Sequence, residues 1–170
     1  MNKRFTHLLI LSLALVAAAC GKDGDPTPDK PAVSAKTALL TTPKWRITAI
    51  VGTTTFGGQT TTINGYASLP ACQKDNFGKF NVDKSVVMDE GATKCSTTAP
   101  QSKTGTWSFN AAETELTTVD PSQPTGTLQH TVVAEVLQLT ATALKVKTTT
   151  TQTVSGFTIV STATTTYAAI

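Results

Sequence analysis

The chain has 170 residues, which is enough for one domain with a sizeable hydrophobic core after an N-terminal leader is subtracted. Threonine supplies 35 residues, while 15% of the chain is charged and 6% is aromatic, a composition typical of strands rather than helices. Removing residues 1–19 takes two of the 14 basic residues and none of the 11 acidic ones. The net charge then falls from +3 to 12 − 11 = +1, which gives no electrostatic case for a nucleic-acid partner.

The N-terminus has the order of a secretory signal peptide. Lys3 and Arg4 precede an apolar run over residues 8–19, which at about 12 residues is too short to span roughly 30 Å of hydrocarbon. The letters VAAACG around Cys20 resemble a bacterial lipobox, in which the cysteine is acylated, with palmitate for example, and becomes the first residue. We therefore predict lipidation at Cys20. The alternative is an ordinary cleavage site followed by an unmodified cysteine.

A tether follows the cysteine. Residues 21–36 carry three prolines, two glycines and six charged side chains, and cannot bury enough apolar surface to fold. The lysine and aspartates directly after Cys20 also resemble the signal that sends some lipoproteins of the Bacteroidetes to the outer face of the outer membrane, with a plain solvated linker as the alternative. The expected location is the cell envelope, with the lipid anchor in the outer membrane.

Period-two patterns predict strands from residue 44 onward. In the first strand Trp45, Ile47, Ala49 and Val51 fall on one face. A second strand-like run over residues 53–63 is broken by Gly57-Gly58, which indicates either a bulge or a hairpin turn. Further strands are predicted at 77–82, 85–89, 104–109, 115–119, 130–139, 143–153 and 157–167.

Eight or nine short strands joined by turns, with no pattern of helix length, predict an all-β antiparallel up-and-down meander over residues 37–170. Closure into a barrel of about eight strands removes exposed edges. In the late hairpin, Leu137 and Leu139 are expected on one side of the turn, facing Leu144 and Val146 on the other. The threonine runs at 148–151 and 164–166 fit alternating strand positions; a glycosylated stalk is the rival interpretation.

The chain has three cysteines, and if Cys20 carries lipid, Cys72 and Cys95 remain as an even pair. An exported protein enters an oxidising compartment, where such a pair can form a disulfide. We predict a disulfide that clamps the hairpin between them. The alternative is half of a zinc site, which needs further cysteine or histidine ligands, and His130 is the only histidine left after leader removal.

No motif for a hydrolase, a nucleotide-binding loop or a zinc protease occurs in the sequence, so we expect no enzyme activity and no cofactor. His130 lies in a strand with no nearby candidate nucleophile, and we interpret it as a polar face residue. Asp75, Asp89 and Glu90 could bind calcium, but they lack the spaced oxygen ligands of a calcium loop. Turn capping is the preferred role for these carboxylates, and no metal site is predicted.

Five segments carry a family resemblance: LTTPKW ending at Trp45, LPACQKDNF around Cys72, DEGATKC ending at Cys95, GTW ending at Trp107, and LTATAL over 139–144. They look like the lipocalin-like domain of lipoproteins found in the Bacteroidetes, and the match covers about residues 37–170. The chain departs from that pattern at Pro43, where glycine is more usual. The resemblance implies a lipocalin-like, calycin-type barrel and implies little about a ligand.

Two functions follow from a barrel of this size. In the first, the barrel binds a small apolar molecule at its open end, with Trp45, Phe80, Trp107 and Phe109 as the candidate binding residues. In the second, these side chains pack the interior and the barrel contacts an envelope protein or glycan through its surface. The two tryptophans are expected in the core rather than on an exposed sugar platform. Inward-facing small residues would leave room for a ligand: Ala49, Gly105 and Ala134.

Overall fold

The structure is a computed structural model, and it describes residues 33–120 and 130–170. Cys20, the predicted signal peptide and most of the predicted tether lie outside the described residues. In chain order the described elements are α1 (Ala35–Thr41), β1 (Trp45–Phe56), β2 (Gln59–Asn64), α2 (Ala71–Lys74), β3 (Phe77–Phe80), β4 (Ser85–Asp89), β5 (Ser102–Phe109), β6 (Glu115–Asp120), β7 (His130–Leu139), β8 (Ala143–Val154) and β9 (Phe157–Ala169).

Eight strands close an antiparallel barrel, and β2 is the one described strand that takes no part in the closure. The order around the barrel is β1-β3-β4-β5-β6-β7-β8-β9, and β9 returns to pair with β1 along its whole length. Each strand pairs with its neighbour in sequence except where β2 intervenes. This confirms the predicted up-and-down barrel. Pro43 precedes β1 without disturbing it, because the strand begins at Trp45.

Part of the same sheet extends beyond the barrel wall, where four strands pair only with one another. The β7–β8 pairing ends at Glu135↔Lys147, whereas β8 and β9 stay paired as far as Val154↔Phe157. Likewise β1 pairs with β3 only at its first two residues and with β2 from Val51 onward. The resulting sheet has the order β2-β1-β9-β8. We call it the arm, and it comprises residues 51–64 and 148–164.

Two tight hairpin turns form the tip of the arm. Gly57 and Gly58 have φ of 54° and 79°, and Ser155 and Gly156 have φ of 50° and 82°. Two successive positive φ angles define the turn type whose twist matches that of paired strands. The break at Gly57-Gly58 is therefore a hairpin and not a bulge. Phe56 and Phe157 pack together beside these turns, with their ring centroids 5.6 Å apart.

Two β-bulges overturn details of the sequence analysis. In β1 the register with β9 shifts between Ile47 and Ala49, so Ala49 and Val51 face away from the side that Trp45 and Ile47 share. The extra residue of a bulge reverses every later side chain, and strict alternation cannot anticipate it. The prediction of one common face for these four residues was therefore wrong.

The second bulge lies in β7, between Val136 and Gln138. Leu137 has no partner in β8 at this point, and 43% of it is exposed. Leu139 lies beyond the bulge and packs against the core. The bulge interrupts the regular alternation that was predicted for Leu137 and Leu139.

Helix α1 closes the end of the barrel where β1 begins, and the sequence analysis did not predict it. Its N-cap is Ser34, whose Oγ accepts a hydrogen bond from the Thr37 N–H at 3.0 Å. Leu40 is fully buried in the barrel core. The Lys79 ammonium of β3 donates to the Thr42 carbonyl at 2.9 Å, where the last helix carbonyls need donors. The Trp45 Nε1 donates to the Leu40 carbonyl, also at 2.9 Å.

The N-terminal end of α1 is fixed to the turn between β5 and β6. The Ser34 hydroxyl hydrogen-bonds the Glu113 carboxylate, and the Lys36 ammonium donates to the Glu113 carbonyl at 2.6 Å. Glu113 has a positive φ of 52°, a conformation that a non-glycine residue adopts at some cost. Both ends of the helix are therefore held by residues distant in sequence, Glu113 of the β5–β6 turn and Lys79 of β3.

Aromatic residues fill the same end of the barrel. Trp107 is 2% exposed and meets Phe80 and Phe109 edge to face, with ring centroids 5.8 Å and 5.5 Å away. Its indole N–H donates to the Asn81 carbonyl at 2.9 Å, which satisfies the polar edge of the ring. The Lys84 ammonium lies 4.0 Å from the ring centroid and covers it from outside. Trp45 is equally buried, so both tryptophans belong to the core, as predicted.

Candidate ligand cavity

The barrel interior holds a partly open cavity of about 300 Å³. Its base is apolar because the inward side chains near the closed end are all large hydrophobic groups, and these are buried core residues: Trp45, Phe80, Val86, Leu116 and Leu144. The strands that supply them alternate inward and outward positions, so one residue in two faces the interior. The base of the cavity therefore offers contact area but no charge.

Small residues create the space above this base. Gly105 and Ala134 line the cavity wall, as the sequence analysis expected. Ala49 does not, because the bulge in β1 turns it to the outside of the barrel. Gly78 lies opposite Met88, and a Cβ atom on Gly78 would stand 3.2 Å from the Met88 sulfur. The absence of a side chain at Gly78 therefore lets Met88 lie across the wall near the mouth.

Apart from Tyr167, the polar side chains of the lining lie toward the open end. The lining there includes Lys103, Thr118, Asp120, Thr148 and Thr165. Within the described ranges no carboxylate forms an ion pair with Lys103, although Asp120 shares its rim. A cation at the rim of an apolar pocket can meet an acidic head group while the apolar body of the ligand stays inside.

Tyr167 of β9 supplies a polar group inside the cavity. It lines the wall and pairs with Ile47 of β1 and Leu144 of β8. None of the described residues hydrogen-bonds its hydroxyl. Burial raises the pKa of the Tyr167 phenol above its ordinary value of 10.0, because the charged form loses its hydration. The hydroxyl is therefore neutral and is free to bond a polar atom of a ligand.

The four predicted binding residues divide into two pairs. Trp45 and Phe80 form part of the cavity wall. Trp107 and Phe109 lie behind Phe80, at the closed end, and do not line the cavity. Met88, Lys103 and Tyr167 also line the cavity and were not predicted. Lys103 could have been found, because it shares the inward face of β5 with Gly105 and Trp107.

Cys72 and Cys95 are joined by a disulfide, with their Cα atoms 5.2 Å apart. The bond connects α2, just before β3, to the loop that follows β4, so it clamps the β3–β4 hairpin as predicted. Gly91 in that loop has a φ of 68°, and a Cβ atom there would stand 2.5 Å from the Asp75 carbonyl oxygen. Only glycine fits this position.

The acidic residues of this loop cap turns. Asp75 accepts the Thr93 N–H and Asp89 accepts the Gly91 N–H, both at 2.8 Å, and Glu90 accepts the Cys95 N–H at 3.1 Å. Desolvation raises the pKa of the Asp75 carboxyl, but hydrogen bonds from Thr93, Ala92 and its own backbone together lower this pKa below its ordinary value of 3.8. Among the described residues no group of three acidic, cysteine or histidine side chains could hold a metal ion.

No protein-family model matches the chain, and no curated protein matches it. In the part of the chain that the structure describes, neither helix is long and apolar enough to cross a bilayer. The barrel and its cavity are therefore the basis for a functional assignment.

Proposed function

We propose that this protein is a binding protein of the cell envelope that holds one small, largely apolar molecule inside its barrel. The observation that carries the proposal is the cavity of about 300 Å³ between a hydrophobic base and a polar rim. Binding sites for small molecules are concave, mostly apolar and furnished with a few placed polar groups. This arrangement favours binding over the alternative of a packed barrel that acts only through its surface. The proposal requires no catalytic group and no cofactor.

The volume restricts the size of the ligand. An apolar cavity of about 150 Å³ holds one benzene molecule, so this cavity has room for about twice that bulk. A medium-chain alkyl group or a two-ring compound fits these dimensions. A porphyrin or a long isoprenoid is too large to be enclosed. Lys103 at the rim and the Tyr167 hydroxyl inside favour an amphiphile with an acidic or hydrogen-bonding end.

Titration with a matched pair of probes tests this proposal. Decanoate and decanol share an alkyl chain and differ in the group that would meet Lys103. Binding should change the fluorescence of Trp45, and a ligand at 100 times its Kd should raise the free energy of unfolding by about 2.7 kcal/mol. A stronger shift with decanoate would assign Lys103 to the head group. No shift with either probe would contradict the proposal.

A pair of variants shows whether binding occurs in the cavity. Ala134→Phe places a ring in the space that the ligand would occupy, so binding should be lost. Val133→Phe is the matched control, because Val133 is the preceding residue on the same strand and is 52% exposed. If both variants bind decanoate as tightly as the wild type, the ligand lies elsewhere. Thermal unfolding checks that each variant is folded.

We infer further that lipid on Cys20 tethers the barrel to a membrane of the cell envelope. The support is the order of the leader: basic residues, an apolar run, then small residues before the cysteine. One acyl chain gives only marginal membrane binding, so firm anchoring requires several. Cys20→Ala should move the protein from the membrane fraction to the soluble envelope fraction. Retention of this variant in the membrane would refute the anchor.

A further inference from the structure

The Tyr167 hydroxyl lies at the inner end of the cavity. Tyr167 pairs directly with Leu144, a buried residue of the cavity base, and its side chain packs against the barrel core. The neighbouring side chains of the base are hydrophobic. None of the described residues hydrogen-bonds this hydroxyl. The barrel therefore presents one available polar group at the inner end of an apolar space.

Lys103 lies at the opposite end of the same cavity. The strands of a barrel tilt against its axis, so a row of paired residues climbs the wall as it passes around the barrel. The row that starts at Trp45 continues through Gly78 and Met88. It ends at Lys103 on β5. Because Trp45 is 1% exposed and Met88 is 53% exposed, the row leads from the closed end to the mouth.

The two ends of the cavity suit different chemical groups. The charged side chains of the lining, Lys103 and Asp120, are both at the mouth, and Asp120 has an interaction of its own. An ionised carboxylate at the base would lose its hydration with no cation to compensate. Burial raises the pKa of the Tyr167 phenol, which therefore stays neutral and can both donate and accept a hydrogen bond. The mouth suits an anion, and the base suits a neutral hydroxyl or carbonyl group.

We propose that the ligand is a medium-chain acid with a neutral hydrogen-bonding group at the far end of its chain, as in an ω-hydroxy acid. This inference rests on the proposed function and names the class of molecule that the cavity takes. The carboxylate pairs with Lys103, the methylene chain lies against the apolar wall, and the terminal hydroxyl bonds Tyr167. A plain fatty acid would bring a methyl group to this hydroxyl. Tyr167 is therefore the residue that determines specificity.

Pairs of acids that differ in one hydroxyl group test this class. The Kd values of ω-hydroxydecanoate and decanoate are measured by Trp fluorescence with the wild type and with Tyr167→Phe. The variant leaves the terminal hydroxyl of the ligand buried without a partner. The ratio of the two Kd values should therefore change by about ten-fold against ω-hydroxydecanoate. The octanoate and dodecanoate pairs are measured alongside, because the chain must span the cavity. An unchanged ratio at all three lengths overturns the proposal.

Two controls separate this contact from a general effect on the barrel. Tyr66→Phe makes the same change outside the cavity, where the Tyr66 ring lies 5.3 Å from the Lys74 ammonium, and should leave the ratio unchanged. 3-Hydroxydecanoate carries its hydroxyl beside the carboxylate, so its affinity relative to decanoate should not respond to Tyr167→Phe. An equal response of both hydroxy acids overturns the proposed orientation. Thermal unfolding confirms that each variant is folded.

Decanedioate tests whether the base excludes charge. Its second carboxylate would enter the base without a cation, so it should bind at least about ten-fold more weakly than ω-hydroxydecanoate. Tighter binding of decanedioate overturns the assignment of a neutral group to the base. These failures differ from a failure of the proposed function. Decanoate that binds with no preference for a terminal hydroxyl contradicts the ligand class alone, whereas no binding by any of these acids contradicts a ligand in the cavity.

Discussion

Tyr167 combines a buried phenol with a position on the cavity wall. Its hydroxyl has no hydrogen-bond partner among the described residues, so it is available to a molecule that enters the cavity. A ligand with a polar atom at this point gains a hydrogen bond that the protein does not already use. The residue therefore offers one directed polar contact in a largely apolar cavity.

The raised pKa of Tyr167 predicts a loss of stability in alkali. A group whose pKa is raised in the folded state contributes stability that is fully present at pH values below its pKa in the unfolded chain, which is about 10 for tyrosine. This stability is lost as the pH rises through the pKa of the folded state. Unfolding by urea at a series of pH values measures this loss. Tyr167→Phe should remove the part that this phenol contributes. An unchanged pH profile in that variant would contradict the assignment.

An absorbance titration isolates the same group. The chain has two tyrosines, so in Tyr66→Phe every tyrosinate signal comes from Tyr167. The midpoint of that titration should lie above 10. A ligand that bonds the hydroxyl should shift this midpoint, which gives a measure of binding independent of fluorescence.

At the scale of elements, α1 is a short helix that depends on the barrel. Isolated helices shorter than about 12 residues are marginal in water, so its stability comes from tertiary contacts. Those contacts are Leu40 in the core, Lys79 at one end and Glu113 at the other. None of them is visible in the local sequence, which explains why the helix was missed while eight or nine strands were predicted from their residue pattern, with the division between β1 and β2 left open.

Leu40→Ala should destabilise the protein by about 3 kcal/mol, because it removes a fully buried side chain and leaves a cavity. Leu137→Ala should cost less than about 1 kcal/mol, since the bulge in β7 leaves Leu137 half exposed. Urea unfolding of the two variants measures both values. Equal costs would mean that one of the two placements is wrong.

The two bulges also mark the limit of sequence reasoning about the cavity. Alternation predicted that Gly105 and Ala134 face inward, and they do. It failed for Ala49 because one inserted residue reverses the faces that follow, and nothing in the local residue types distinguishes a bulged strand from a regular one. The cavity exists only because certain small residues face inward. It therefore could not be predicted without knowing the register of the strands.

At the scale of the whole molecule, the disulfide acts mainly through the unfolded chain. Joining two residues 23 positions apart removes denatured-state entropy worth about 3 kcal/mol. This is a large share of the roughly 5 to 15 kcal/mol that a domain has in total. A variant with Cys72→Ser and Cys95→Ser should unfold at a clearly lower urea concentration than the oxidised wild type. An unchanged midpoint would contradict this account.

The seam between β1 and β9 also determines when the barrel can form. These strands pair over nearly all of β1, although they are the first and the last of the described strands. Contacts between such distant segments form late in folding. The chain must lose the entropy of closing a long loop before these contacts can stabilise it. A chain that leaves a ribosome or crosses a membrane from its N-terminus cannot close until its last strand arrives. Until then the β1 edge that β9 will cover is unpaired, and Arg46 is its only charged residue, so this interval is when the protein is most exposed to misassembly.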